Sequence, residues 1–144
     1  QALTARLAEL GAAAVSEAAA ALAAGKAERT PQDESQVTYA PLLDKSLSLV
    51  DWSRSAHEIS CQIRGLQPWP CATTDAITGD YIKLFAAVET GEATGAYPGV
   101  IVRAGKAGID FACGDGRVLR VTELQAPGSR RMTADAYLRG NPLG

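Results

Sequence analysis

One histidine and three cysteines are the side chains of this 144-residue chain best suited to nucleophilic or soft-metal chemistry. His57 is expected in the first turn of a helix that starts after Ser55, off the stripe made by Ile59 and Ile63, and so at the surface. With no second histidine, and no cysteine expected beside this one, neither a nucleophilic dyad nor a His-rich metal site can be assembled. Cys61 and Cys71 read as small apolar fillers. Cys113-Gly114-Asp115-Gly116 has the glycines of a phosphate loop. It lacks a further glycine and the Lys-Ser/Thr ending, so a turn between two strands is the better reading. An odd, scattered set of thiols points to free cysteines in a reducing cytoplasm, with neither a disulfide framework nor a zinc ribbon. No catalytic residue, metal site or cofactor is expected within these residues.

Charge is the other source of chemical reach. The 14 Lys and Arg are opposed by 16 Asp and Glu, a net of −2, which argues against a strong nonspecific polyanion binder. The distribution is uneven. Residues 1–36 hold three basic against five acidic residues, whereas residues 103–144 hold seven basic (Arg103, Lys106, Arg117, Arg120, Arg130, Arg131, Arg139) against four acidic. A modest basic surface in the second half suits contact with structured RNA through its phosphates.

Residues 50–70 supply the clearest of the elements that must position these groups. Ser55 and Glu58 stand at capping-box spacing, and Ile59, Ile63 and Leu66 give the following helix one buried stripe. Gly65 is expected to make the left-handed exit, and Pro68 and Pro70 forbid continuation. Trp52 and Trp69 flank this apolar patterning and are expected to be core anchors at its two ends.

Before this block, Leu3, Leu7 and Leu10, then Val15, Ala18 and Leu22, suggest two short helices that meet at Gly11, the second closed by Gly25. Polar residues from Gly25 to Gln36, with Pro31, read as a linker. After the block the pattern turns to β. Ala72 to Ile77 and Tyr81 to Val88 flank Thr78-Gly79-Asp80, Val100 to Arg103 starts a third strand, and Ile109 to Cys113 and Arg117 to Leu124 flank Asp115-Gly116. Thr133 caps a last helix over residues 134–139. Five short strands around one helix suggest a small closed or partly open barrel.

The composition, 47% hydrophobic and 21% charged, is globular and suits one ordinary domain plus an appendage. The run from Ala12 to Ala24 is interrupted by Ser16 and Glu17 and falls short of the roughly 20 apolar residues of a membrane span. No secretion signal is evident. A chain that begins with Gln1, and whose one methionine is Met132, is expected to be a fragment or a trimmed product.

Several of these blocks stand in the order of the formyltransferase family's C-terminal domain. They are Tyr39-Ala40-Pro41-Leu42-Leu43 with Lys45, Asp51-Trp52-Ser53, Ile63-Arg64-Gly65 through Pro68-Trp69-Pro70, Cys113-Gly114-Asp115-Gly116, Glu123-Leu124-Gln125 and Arg130-Arg131-Met132-Thr133-Ala134. The chain resembles that domain across nearly its whole length, and Leu7-Ala8-Glu9-Leu10-Gly11-Ala12 is similar to the end of the family's catalytic domain. It departs from the family at Ser46, Leu47 and Ser48, where an acidic pair and a glycine are usual. It departs again at Ser129, which leaves Arg130 and Arg131 of a run of three basic residues.

The resemblance implies a mainly β fold: a small OB-like antiparallel barrel with one inserted helix, preceded by two short N-terminal helices left over from the catalytic domain. On that basis residues 1–25 are the helical remnant, 26–45 the interdomain linker and 46–144 the C-terminal tRNA-binding domain. It further implies a cytoplasmic, monomeric parent enzyme of translation initiation. That parent transfers a formyl group from 10-formyltetrahydrofolate to the amino group of initiator methionyl-tRNA, with its catalytic Asn, His and Asp in a domain that has no counterpart here. This fragment alone would be inactive and would help to hold the tRNA, with no role for DNA or a membrane. Arg130 and Arg131 are the first expected tRNA contacts, Lys45 the next, and Arg54, Arg103 and Lys106 follow. Two alternatives stand beside this reading. One is the matching domain of an amino-sugar-nucleotide formyltransferase or a 10-formyltetrahydrofolate dehydrogenase, against which the Leu124-Gln125 to Ala134 ending speaks. The other is a noncatalytic protein-interaction module.

Overall fold

The computed structural model describes residues 2–143 and divides into two units at the Ala40–Pro41 junction. In the first unit, α1 (Ala2–Ala23) is one continuous helix, so the expected break at Gly11 does not occur. An interior glycine costs about 1 kcal/mol relative to alanine, and alanine-rich sequence on both sides carries the helix through it. The helix stops where expected. Gly25 takes φ 65°, and the Lys26 amide donates to the Ala21 carbonyl at 2.9 Å, a left-handed cap. Leu3, Leu7 and Leu10 are 57–68% exposed.

The second unit begins with a short 3-10 turn, Lys45–Leu47, and then α2 (Ala56–Gly65). The capping box is complete: the Glu58 amide donates to Ser55 Oγ at 3.2 Å, and the Ser55 amide donates to Glu58 Oε2 at 3.1 Å. The Ser55 hydroxyl, Arg54 and the Ser55 amide together hold the Glu58 carboxyl down to about 2. Gly65 does not make the left-handed exit. Leu66 closes the helix at φ −85°, and the left-handed residue is Cys71, φ 67°, whose amide reaches back to the Leu66 carbonyl at 2.9 Å. The reversal is therefore completed beyond the two prolines rather than at the helix end.

Six strands follow: β1 (Ala72–Thr74), β2 (Ile82–Ala93), β3 (Ile101–Gly105), β4 (Gly108–Ala112), β5 (Arg117–Gln125) and β6 (Met132–Thr133), with α3 (Ala134–Gly140) last. Thr133 caps α3 by accepting from the Ala136 amide at 3.2 Å. All ladders are antiparallel, in the order β1-β2-β5-β4-β3, and β6 also pairs with β5. Register shifts along the β2–β5 ladder curl the sheet. Of the closed and partly open forms expected, the closed one does not occur: the sheet stays unclosed. β1 is three residues long, and its outer edge is taken by residues 48–50: the Val50 amide donates to the Thr73 carbonyl at 2.9 Å and the Thr73 amide to the Ser48 carbonyl at 2.7 Å. β3, at the other end of the path, pairs with β4 alone among the described strands.

α2 lays its stripe on the sheet. Ile59, Ile63, Ile82, Leu84, Phe111, Leu119, Val121 and Leu124 are essentially inaccessible to water. Trp52 stacks on Phe111 with ring centroids 4.2 Å apart and planes 14° apart, and its indole N–H donates to Thr74 Oγ1 at 3.0 Å, so a buried polar edge is satisfied. Trp69 is not a core anchor. It is 54% exposed, because the turn from Gln67 to Cys71 buries Pro70 and Cys71 and leaves the indole outside.

Candidate nucleic-acid interface

A cleft of the second unit lies beside the β1 edge, with a volume of about 720 Å³. One wall is the 3-10 turn that carries Lys45, fixed at its start by Asp44, whose carboxylate accepts from the Ser46 amide at 2.6 Å. Gln62 of α2 anchors the same wall by donating to the carbonyls of Leu47 at 2.8 Å and Leu49 at 3.3 Å. Tyr81 and Lys83 line the cleft as well. Ile82 and Leu84 point into the core, so the pleat sends Lys83 outward. Trp69 also belongs to the lining.

A second cleft, about 280 Å³, shares Tyr81 and Lys83 and runs to Gln125–Gly128. Its far loop is held by the Gln125 amide group, which donates to the Ser129 carbonyl at 2.7 Å, and by the Ser129 amide, which donates to the Ala126 carbonyl at 3.1 Å. Arg130 follows directly, exposed.

The cations expected to meet phosphate divide by whether their charge is already matched. Lys45, Arg130 and Lys106 are exposed and form no ion pair among the described residues, and the same holds for Lys83. Arg131 bonds Glu123 through Nε at 2.8 Å and lies 4.6 Å from the centre of the Phe85 ring. Arg54 pairs with Glu58 at 2.7 Å. Arg103 pairs with Glu92 at 2.9 Å and donates through Nε to Asp110 at 2.8 Å. A cation neutralised by a neighbouring carboxylate releases fewer counterions on meeting a phosphate, so the unpaired set is the stronger candidate for phosphate contact. Lys45 lines the first cleft, and Arg130 follows the Gln125–Gly128 loop of the second. Lys106 lies on the separate β3–β4 turn.

Asp110 explains the arginine pairing. It is 1% exposed on β4, opposite Arg103 on β3 and Arg120 on β5, and Arg120 Nε reaches it at 2.6 Å. Burial pushes its carboxyl up, and the hydrogen bonds and charges of Arg120 and Arg103 more than reverse that, leaving it below its ordinary value.

Lys83 and Tyr81 were not among the expected contacts and Trp69 was expected in the core, yet all three line the first cleft. The alternation around Lys83 was a signal for an outward lysine, and the prolines flanking Trp69 were a signal for a turn. Sequence reasoning also misjudged Cys61, which is exposed rather than a filler, with its Sγ 3.6 Å from His57 Nε2 and 3.2 Å from Arg64 Nη2. Residues four apart on a helix share a face, so a cysteine does stand beside the histidine. His57 is exposed as expected, with Nδ1 3.1 Å from Glu89 Oε1. Cys71 and Cys113 are buried, and burial followed by the Asp115 charge pushes the Cys113 thiol up to about 11. Among the described residues no group of three or more His, Cys, Asp or Glu side chains is arranged to hold a metal ion, and no helix is long and apolar enough to cross a membrane.

Residues 42–142 match the family described as Formyl transferase, C-terminal domain. The chain belongs to that family. It is 43% identical to the methionyl-tRNA formyltransferase of Trichlorobacter lovleyi over 99% of its own length and 44% of that protein's. It is 39% identical to the methionyl-tRNA formyltransferase of Bacillus subtilis over 94% of its length and 42% of the relative's. It thus spans less than half of these relatives. Among solved structures, HypX from Aquifex aeolicus in complex with tetrahydrofolic acid shares the fold at TM-score 0.56 and 22% identity, covering 86% of this chain and 22% of that one. The formyl transferase C-terminal domain accounts for the second unit from Leu42 onward, including Lys45, both clefts and Arg130.

Proposed function

We propose that this chain is the tRNA-holding C-terminal portion of a methionyl-tRNA formyltransferase. The whole enzyme transfers a formyl group from 10-formyltetrahydrofolate to the amino group of initiator methionyl-tRNA in the cytoplasm, during translation initiation. In this reading residues 1–25 belong to the catalytic domain, 26–45 link the domains and 46–144 grip the tRNA. The formyl donor is a co-substrate of the whole enzyme and is handled outside these residues.

One observation carries the RNA-binding part. Lys45 and Lys83 line one cleft, Lys83 also lines a second whose far loop ends two residues before Arg130, and none of the three is ion-paired among the described residues. Unmatched cations of this kind suit the phosphates of a structured RNA without base readout. The relatives' names support the substrate.

The test is kinetic. In the full-length enzyme, Arg130→Ala together with Arg131→Ala raises the KM for charged initiator tRNA, leaves the KM for the formyl donor unchanged and flattens the salt dependence of tRNA binding. Unchanged tRNA affinity at low salt overturns the assignment.

A further inference from the structure

We propose that the cleft bounded by Trp69, Tyr81, Lys45 and Lys83 seats an unpaired nucleotide of RNA, its base against the exposed rings and its phosphates on the two ammonium groups. This deepens the RNA-binding reading and rests on it. Trp69 is 54% and Tyr81 63% exposed, and both line the same cleft. Isolated exposed aromatics are ordinary. Two that share a cleft with two lysines, and with no carboxylate in the lining, have the composition of a single-strand site, where rings stack bases and cations follow the backbone.

Complementarity of charge fixes the class of occupant. Neither Lys45 nor Lys83 has an ion-pair partner among the described residues, whereas Arg54, Arg103, Arg120, Arg131 and Arg139 of the same unit do. The rings exclude a paired duplex, whose bases offer no free face to stack on. The volume, about 720 Å³, lies within the roughly 300–1,000 Å³ usual for small-ligand pockets. The wall is set before the RNA arrives, because Gln62 and the Thr73 backbone hold residues 47–50 in place. Such preorganisation lowers the ordering cost of binding.

The test titrates the 144-residue chain with a single-stranded hexa-adenylate, a blunt RNA duplex, inorganic polyphosphate and initiator tRNA, following tryptophan fluorescence. Hexa-adenylate is expected to quench Trp69 and to leave the buried Trp52 emission. Trp69→Ala and Tyr81→Ala each weaken its binding about tenfold, Trp69→Phe restores most of it, and Lys45→Ala or Lys83→Ala each lower the salt slope by about 0.7. Polyphosphate binding is insensitive to Trp69→Ala. All variants keep the parent melting curve, because the altered side chains are exposed. Hexa-adenylate binding that is absent, or equal in parent and Trp69→Ala, overturns the proposal, as does a preference for the duplex. tRNA bound equally by parent and Trp69→Ala removes the cleft and keeps the tRNA reading. Hexa-adenylate bound through Trp69 with no tRNA binding removes the tRNA reading and keeps the cleft.

Discussion

Gly114 lies so close to the Ser53 backbone that a Cβ built on it would sit 1.6 Å from the Ser53 carbonyl oxygen. Its amide donates to the Arg54 carbonyl at 2.9 Å, and the neighbouring Asp115 Oδ2 accepts from the Ala56 amide at 3.2 Å. The β4–β5 turn thus clasps the start of α2, and a glycine is required by contact rather than by dihedral angle. Gly114→Ala is expected to destabilise the second unit by at least about 2 kcal/mol, because backbone must move on both sides. Urea denaturation of parent and variant measures it.

The helix that Asp115 helps to cap is also held by its own box. Ser55→Ala is expected to cost about 1 kcal/mol. The Glu58 carboxyl is held down to about 2, so its contribution is present above its unfolded value of about 4.3 and fades as pH falls through the folded one. Ser55→Ala therefore removes part of the acid-induced loss of α2 helicity, as followed by far-ultraviolet circular dichroism from pH 5 to 2.

Asp110→Asn leaves Arg103 and Arg120 facing each other without a buried counter-ion. Breaking such a group from one side costs about 3 kcal/mol. The Asp110 carboxyl sits below its ordinary value in the fold, so the stabilisation is full at neutral pH and is lost on acidification below about pH 4. The gap in stability between parent and Asp110→Asn should narrow as pH falls. A constant gap from pH 7 to 3 would refute this assignment.

Arg130 and Arg131 are adjacent and unequal. Arg130→Ala is expected to reduce the salt slope of tRNA binding by about 0.9, one phosphate's worth, and to leave the melting curve unchanged. Arg131→Ala should change the slope less and stability more, because its guanidinium bonds Glu123 and covers the Phe85 ring. Filter binding across a salt series, with melting curves of the same samples, separates the two.

Of the three cysteines, Cys61 alone is exposed. One equivalent of maleimide at neutral pH should label Cys61 and spare Cys71 and Cys113 until denaturant is added. Mass spectrometry of the digested protein reads the positions.

Local chemistry was the legible part of this fold. The capping box, the Ile59–Ile63 stripe, the Cys113–Gly116 turn and the Gly25 stop each depend on residues within a few positions of one another, and each stands as expected. Features settled over distance were not legible. Gly11 lost to the alanine-rich sequence around it. Residues 48–50 take the β1 edge, a pairing 24 residues apart at Leu49 and Thr73 that no short pattern announces. The phosphate candidates were sorted by cross-strand partners, such as Asp110 for Arg103, which a linear reading cannot weigh. Trp69 sits beside apolar neighbours in sequence, yet it is Trp52 that reaches Phe111.

The pairing of residues 48–50 with Thr73 bears on how this domain can be excised. A piece cut after Val50 would leave a three-residue border strand with bare amides and carbonyls, a ready template for another copy. The short stretch ahead of Asp51 acts as a selvage that keeps the sheet from fraying or recruiting a neighbour. It also carries Lys45, so trimming it would bring self-association and loss of a phosphate contact in the same stroke.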